Sequence, residues 1–231
     1  GELSRLYYGT LKHLPFGVRP SMSPAEHALK LVLKTPNFSV VQIGAFIGNT
    51  ATDPFYSQCI RIDPKLPGLI IFFEPVTEYY NQLKSAYSAV RQAKCENVAI
   101  SNHNGSATFY RLGVNPEDYG FPAWLAQLGS LRQDRVEKLW EQYEANKQYQ
   151  EFLIKHRVVE QVQCRTLVST LAAYNLSKID ILQIDVEGGE MDILESIEFK
   201  NCPIRFLNYE SALLGPQKSR ALKIVHSAGY L

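Results

Sequence analysis

The chain has 231 residues, of which 45% are hydrophobic and 20% charged, and its net charge is +1. That length suits one full α/β domain with a large core, or two small domains. The near-neutral charge argues against a nucleic-acid or acidic-membrane partner, and no apolar run approaches the roughly 20 residues that span a bilayer.

The opening Gly1-Glu2-Leu3-Ser4-Arg5 does not read as a signal peptide. Residues up to Arg19 are rich in aromatics, Pro and Gly, and are expected to form a surface arm. Ser23-Pro24-Ala25-Glu26 carries a cap, a first-turn proline and a capping-box acid, so a helix is predicted to about Lys34, ended by Pro36. Strands are predicted at 39–43 and 69–73, with a helix over 77–93 that carries Tyr80, Leu83, Tyr87 and Val90 at helical spacing. A strand at 96–100, a turn at Asn104-Gly105 and a short strand at 107–111 follow, then an irregular stretch at 113–130.

A long polar helix is predicted over 131–156, a strand over 158–165 and a helix over 167–175. The run at 179–184 reads as a buried strand, followed by the Gly188-Gly189 turn and a helix to Ser196. A strand at 205–209 and a helix at 216–228 complete the pattern, and Tyr230-Leu231 looks like the start of one more strand. The four cysteines, Cys59, Cys95, Cys164 and Cys202, are widely spaced with no CxxC pair. Free, mostly buried thiols and a reducing, cytoplasmic setting are therefore expected.

Strands alternating with helices predict an α/β fold with a doubly wound, mostly parallel sheet and helices on both faces. Right-handed crossovers place the strand C-termini on one edge, where ligands bind. Gln42, Glu74, Asn97, Asp185 and Glu210 all fall at or near such ends. That convergence argues for an enzyme.

Gly44-x-x-x-Gly48 follows a strand and is expected to open a helix. Glycines there let backbone approach a ligand, and a helix N-terminus favours an anion. The same spacing is also met at an ordinary tight strand–helix junction. It is neither G-x-G-x-x-G nor a P-loop, so a pyrophosphate fits poorly. Glu74, in Phe72-Phe73-Glu74-Pro75, stands where an acid accepts hydrogen bonds from both ribose hydroxyls. The ligand then needs a ribose and a compact anionic tail, and S-adenosylmethionine has both. In Ile184-Asp185-Val186-Glu187-Gly188-Gly189-Glu190, strand alternation points Asp185 and Glu187 to opposite faces. Asp185 is expected in the crevice, and Glu187 is expected to brace the turn.

Taken together, Val41-Gln42-Ile43-Gly44-Ala45-Phe46-Ile47-Gly48, Phe73-Glu74-Pro75 and the 184–190 segment resemble the FkbM-type S-adenosylmethionine-dependent methyltransferases. Asn97-Val98-Ala99-Ile100-Ser101, the segment 104–109 and Gly129-Ser130-Leu131 extend the resemblance over about 38–230. It implies the class I methyltransferase (Rossmann-like) sandwich with strand order 3-2-1-4-5-7-6. It implies methyl transfer, usually to an oxygen of a sugar or polyketide-like small molecule. Carried over by position, Gly44, Ala45 and Gly48 would line the methionine part and Glu74 would hold the ribose. Asn97 and Val98 would flank the adenine, and Ser130 and Asp185 would face the reacting end. Gln42 stands where the family often has an acid near the cofactor's ammonium.

The expected organisation is an N-terminal arm and helix over 1–36 and a methyltransferase domain over 37–231 with a helical insertion near 113–157. The expected chemistry is displacement of the sulfonium methyl by a substrate hydroxyl. Asp185 is the first choice for the base, with Glu187 beside it, and His103, His156 and Glu210 are lesser candidates. No metal is expected, although Asp185, Glu187 and Glu210 would offer oxygen ligands to Mg²⁺. The acceptor is expected to be a small molecule or carbohydrate. The rivals are a methyltransferase-like domain that has lost catalysis and serves as a scaffold, and a nucleotide-dependent oxidoreductase, which would need a pyrophosphate loop.

Overall fold

The computed structural model describes residues 6–9, 24–50, 53–133 and 147–230. In chain order the elements are β1 (Leu6–Gly9), α1 (Pro24–Val32), β2 (Phe38–Ile43), α2 (Pro54–Cys59), β3 (Gly68–Phe73) and α3 (Thr77–Ala86). Next come β4 (Ala93–Glu96), β5 (Ala99–Ile100), β6 (Gly105–Leu112), α4 (Lys147–Lys155) and β7 (Arg157–Arg165). The chain closes with α5 (Leu167–Ala173), β8 (Ile179–Ile184), α6 (Glu190–Ser196), β9 (Ile204–Tyr209) and α7 (Lys218–Ser227).

Six strands make one sheet in the order β1-β9-β8-β2-β3-β4, and every pairing in it is parallel. Alternate residues of one strand feed two different cores. Val40, Ile70, Phe72 and Ile181 pack against Leu29 and Val32 of α1, Phe55 of α2 and Leu83 of α3. Their neighbours Val41, Ile71 and Leu182 pack against Leu167 of α5, Met191 and Leu194 of α6 and Val225 of α7. Burial on both faces is why these strands read as continuous apolar runs rather than as alternating ones. The doubly wound α/β class is as expected, and the first five strand positions follow the implied 3-2-1-4-5 order.

Beside β9 the order departs. The neighbour there is β1, paired from Leu6↔Phe206 to Gly9↔Tyr209, where the sequence suggested a surface arm. The rest of that arm and Ser23 lie outside the described residues. Tyr230 is not in a strand; it is buried, and its hydroxyl donates to the Ile204 carbonyl at 2.6 Å.

A second, three-stranded sheet in the order β5-β7-β6 stands beside the first. The single strand expected at 96–100 is two pieces, β4 in the large sheet and β5 in the small one. The expected helix at 77–93 stops at Ala86, and Gln92 shapes the return by donating to the Asp63 and Leu66 carbonyls at 2.9 and 2.8 Å. No Gly or Pro marks that stop, so local sequence carried no signal for it. Of the long helix expected over 131–156, the described part is α4, whose Phe152 and Leu153 pack with Leu112, Leu125 and Leu128. Residues 134–146 lie outside the described residues. All four cysteines are free thiols, and no helix among the described residues is long and apolar enough to cross a membrane.

Candidate active site

The C-terminal ends of β2, β3 and β8 open on one cleft of about 260 Å³, whose far wall comes from the small sheet and the segment before residue 133. Gly44, Glu74, Val98, Asp185 and Glu187 line it. Gln42, Ala45, Gly48, Asn97 and Ser130 do not.

The glycine loop is a turn rather than a helix start. No helix begins at Gly48; α2 opens at Pro54, capped by Asp53, whose Oδ1 accepts from the Phe55 amide at 2.7 Å. The two glycines answer first to the protein's own packing. Gly44 has φ +80, and a β-carbon there would sit 1.8 Å from the Asp185 carbonyl oxygen. Its amide and that of Ala45 both donate to the Phe73 carbonyl, at 3.1 and 3.0 Å. Gly48, at φ +74, faces side chains instead, with Leu83 Cδ1 at 2.4 Å and Tyr87 Cε2 at 2.6 Å from the same imagined atom.

Gln42 is buried, and its Nε2 donates to Asp53 Oδ2 at 3.2 Å. An acid thus stands beside the position where the family pattern would have placed one. Burial pushes the Asp53 carboxyl up to about 6, against the lowering effect of its bonds from Phe55 and Gln42.

Glu74 is buried at the end of β3. Its Oε2 accepts from the Phe46 amide at 2.9 Å and its Oε1 from the Val76 amide at 2.8 Å. The carboxylate therefore clamps the glycine loop, where Phe46 holds φ +50, while one lone pair on each oxygen is left by these two bonds. Burial pushes this carboxyl up to about 7, opposed by the two amides and by Arg111. Asn97 braces the same corner, its Nδ2 donating to the carbonyls of Glu74 and Pro75 at 3.0 and 2.9 Å. Ser130 is fully buried and pairs with Tyr110 through backbone bonds of 2.9 and 3.0 Å. It holds its neighbours Gly129, Leu131 and Arg132 over the cleft.

The acids at the end of β8 correct the expectation from alternation. Strand geometry stops at Ile184, and Glu187 adopts φ +53, the left-handed region. That reversal brings Asp185, Glu187 and Glu210 together, with one carboxylate oxygen from each within 4.8 Å of the other two. Oxygen donors in this number suit a hard divalent cation, with water completing its shell. They equally suit the cationic end of a ligand.

Glu190 braces the turn. Glu190 is fully buried, and its carboxylate accepts from the Val186 amide at 3.0 Å and from the Gly188 amide at 3.0 and 3.3 Å. Its place in the first turn of the helix after two glycines was the available signal. Burial pushes its carboxyl up to about 7. A buried acid whose proton is held more tightly when folded makes the native state bind more protons than the unfolded chain between the ordinary value of 4.5 and about 7. Stability contributed by Glu190 therefore falls as pH rises through that window. In Glu190→Gln, urea unfolding measured across the window is expected to show a stability–pH slope smaller by one proton.

A family model described as the methyltransferase FkbM domain matches residues 42–231. That span contains every site residue named above. No curated protein and no solved structure matches the chain.

Proposed function

The chain belongs to the methyltransferase FkbM domain family, and from that premise we propose that it binds S-adenosylmethionine in this cleft and methylates a hydroxyl of a small molecule or sugar. One observation carries the proposal: the Glu74 carboxylate, the Gly44 loop and Asp185 all open on a single cleft at the ends of three adjacent parallel strands. The donor set suits that cofactor. Glu74 keeps acceptor capacity for two ribose hydroxyls, and Val76, Val98 and Phe109 offer apolar walls for a base. The acid at Glu187 complements the ammonium of the amino-acid end.

When bound, S-adenosylmethionine supplies a methyl group already activated on a sulfonium. The chain's own work is alignment, which can contribute about 7–11 kcal/mol. Asp185 would accept the hydroxyl proton, and Ser130 would hold the wall that confines the acceptor.

Calorimetric titration with S-adenosylhomocysteine tests this, with NAD as the counter-ligand. The homocysteine product should bind and NAD should not. Glu74→Ala should weaken it by about 100-fold or more, the loss of two hydrogen bonds to a charged group. Undiminished affinity in that variant would remove Glu74 from the ribose site. Absence of binding to the intact protein would leave the scaffold alternative. A screen of hydroxylated metabolites with labelled donor would then identify the acceptor.

A further inference from the structure

Tyr79 of α3 and Phe46 of the glycine loop both line the cleft, and their rings meet edge to face with centroids 4.5 Å apart. Behind Tyr79 stands Arg111 of β6, in the small sheet. Its Cζ lies over the Tyr79 ring, 5.7 Å from the centroid. Arg111 is itself held: Nε donates to Glu160 Oε1 of β7 at 2.5 Å, and Nη1 donates to the Leu112 carbonyl at 3.1 Å. Only 12% of its side chain is exposed. Strand alternation puts Ala107, Phe109 and Arg111 on one face of β6, and the first two line the cleft. A guanidinium so placed, fixed by a charge-assisted bond and set over an aromatic ring, is a rigid support.

We propose that Arg111 is a positioning residue for the cofactor, holding the Tyr79–Phe46 pair as one wall of the nucleoside end and linking the small sheet to the Glu74 corner. This rests on the cleft being the S-adenosylmethionine site. Phe46 joins the two halves of the device, because its ring meets Tyr79 while its amide donates to Glu74. Among the described residues, Arg111 favours the ionised form of Glu74 and Glu160 opposes it, and the titratable Tyr79 hydroxyl is coupled to the same carboxylate. Only the ionised carboxylate accepts from both ribose hydroxyls. Affinity should therefore decline as pH falls below about 7, the value to which burial raises Glu74. Without Arg111 that decline should begin at higher pH.

The test is calorimetric titration of S-adenosylhomocysteine between about pH 6 and pH 8.5 into the intact protein, Arg111→Met and Arg111→Lys. Arg111→Met is expected to bind about tenfold more weakly at neutral pH and to shift the midpoint of the affinity–pH curve upward. Arg111→Lys, which keeps the charge but loses the planar fork, should restore the midpoint while leaving affinity reduced. A purely structural role would not move the midpoint. Binding by Arg111→Met with unchanged affinity and midpoint would overturn the proposal. If that variant does not fold, the lysine variant decides: affinity equal to the intact protein's would overturn it equally. Failure of the intact protein to bind would instead overturn the cofactor site on which the proposal rests.

Discussion

Gly44→Ala is expected to destabilise the protein by more than about 4 kcal/mol, a large fraction of the stability of an ordinary domain. Two costs combine. The backbone at φ +80 is strained for any residue with a β-carbon, at about 1–2 kcal/mol. The larger cost is steric, because the new atom would lie 1.8 Å from the Asp185 carbonyl oxygen. That carbonyl belongs to backbone at the end of β8, and β8 is held to β2 in register from Val40↔Ile181 to Ile43↔Ile184. Neither strand can retreat without breaking the centre of the sheet. Gly120 is the internal control. It has nearly the same φ, +77, and nothing within 4 Å of an added β-carbon. Gly120→Ala should therefore cost only the strain, about 1–2 kcal/mol. Urea unfolding of the two variants isolates the carbonyl contact, and equal losses would show that it does not constrain the fold.

Asp185→Asn is expected to reduce turnover by about 10²–10⁴-fold, the range for a lost general base, while S-adenosylhomocysteine affinity changes little. Asparagine keeps the shape and one acceptor oxygen, so the sheet edge should persist. Asp180→Asn makes the contrast on the same strand. Asp180 lies at the other end of β8, where its Oδ2 accepts from the Ser39 amide and hydroxyl at 2.9 and 3.2 Å. Its loss should lower stability and leave kcat unaffected. Steady-state assays on the acceptor found by screening would separate the two. Unchanged turnover in Asp185→Asn would take that residue out of the chemistry. Running the assays with and without added Mg²⁺ distinguishes a proton acceptor from a metal ligand. Only a ligand role predicts that the intact enzyme gains rate from the ion and that the variant loses this response.

Much of the fold was legible because parallel strands buried on both faces leave apolar runs that end abruptly. Phe73-Glu74 and Ile184-Asp185 mark such ends at the residues where β3 and β8 stop. The helix at 190–196 and its glycine turn were equally plain. The stop of α3 at Ala86 was not, since it is made by Gln92 bonding to carbonyls more than 25 positions earlier in the chain. The roles of the glycines were half legible. Their spacing pointed to close approach, but what approaches is the Asp185 carbonyl and the Leu83 and Tyr87 side chains.

By itself, then, the sequence determined the family, the α/β class and the strand ends that carry Glu74 and Asp185, because apolar run length and the residues that interrupt it are local properties. Tertiary structure alone decided the rest. The left-handed turn at Glu187 brings Asp185 and Glu187, which alternation had kept apart, into one cluster with Glu210. The small sheet brings Arg111, held by Glu160, behind Tyr79 in the wall of the cleft, from strands whose own sequences name no ligand. The first residues of the described chain become the sixth strand. Each of these depends on contacts between distant segments, and such contacts are set by packing a common core rather than by any pattern a single segment contains.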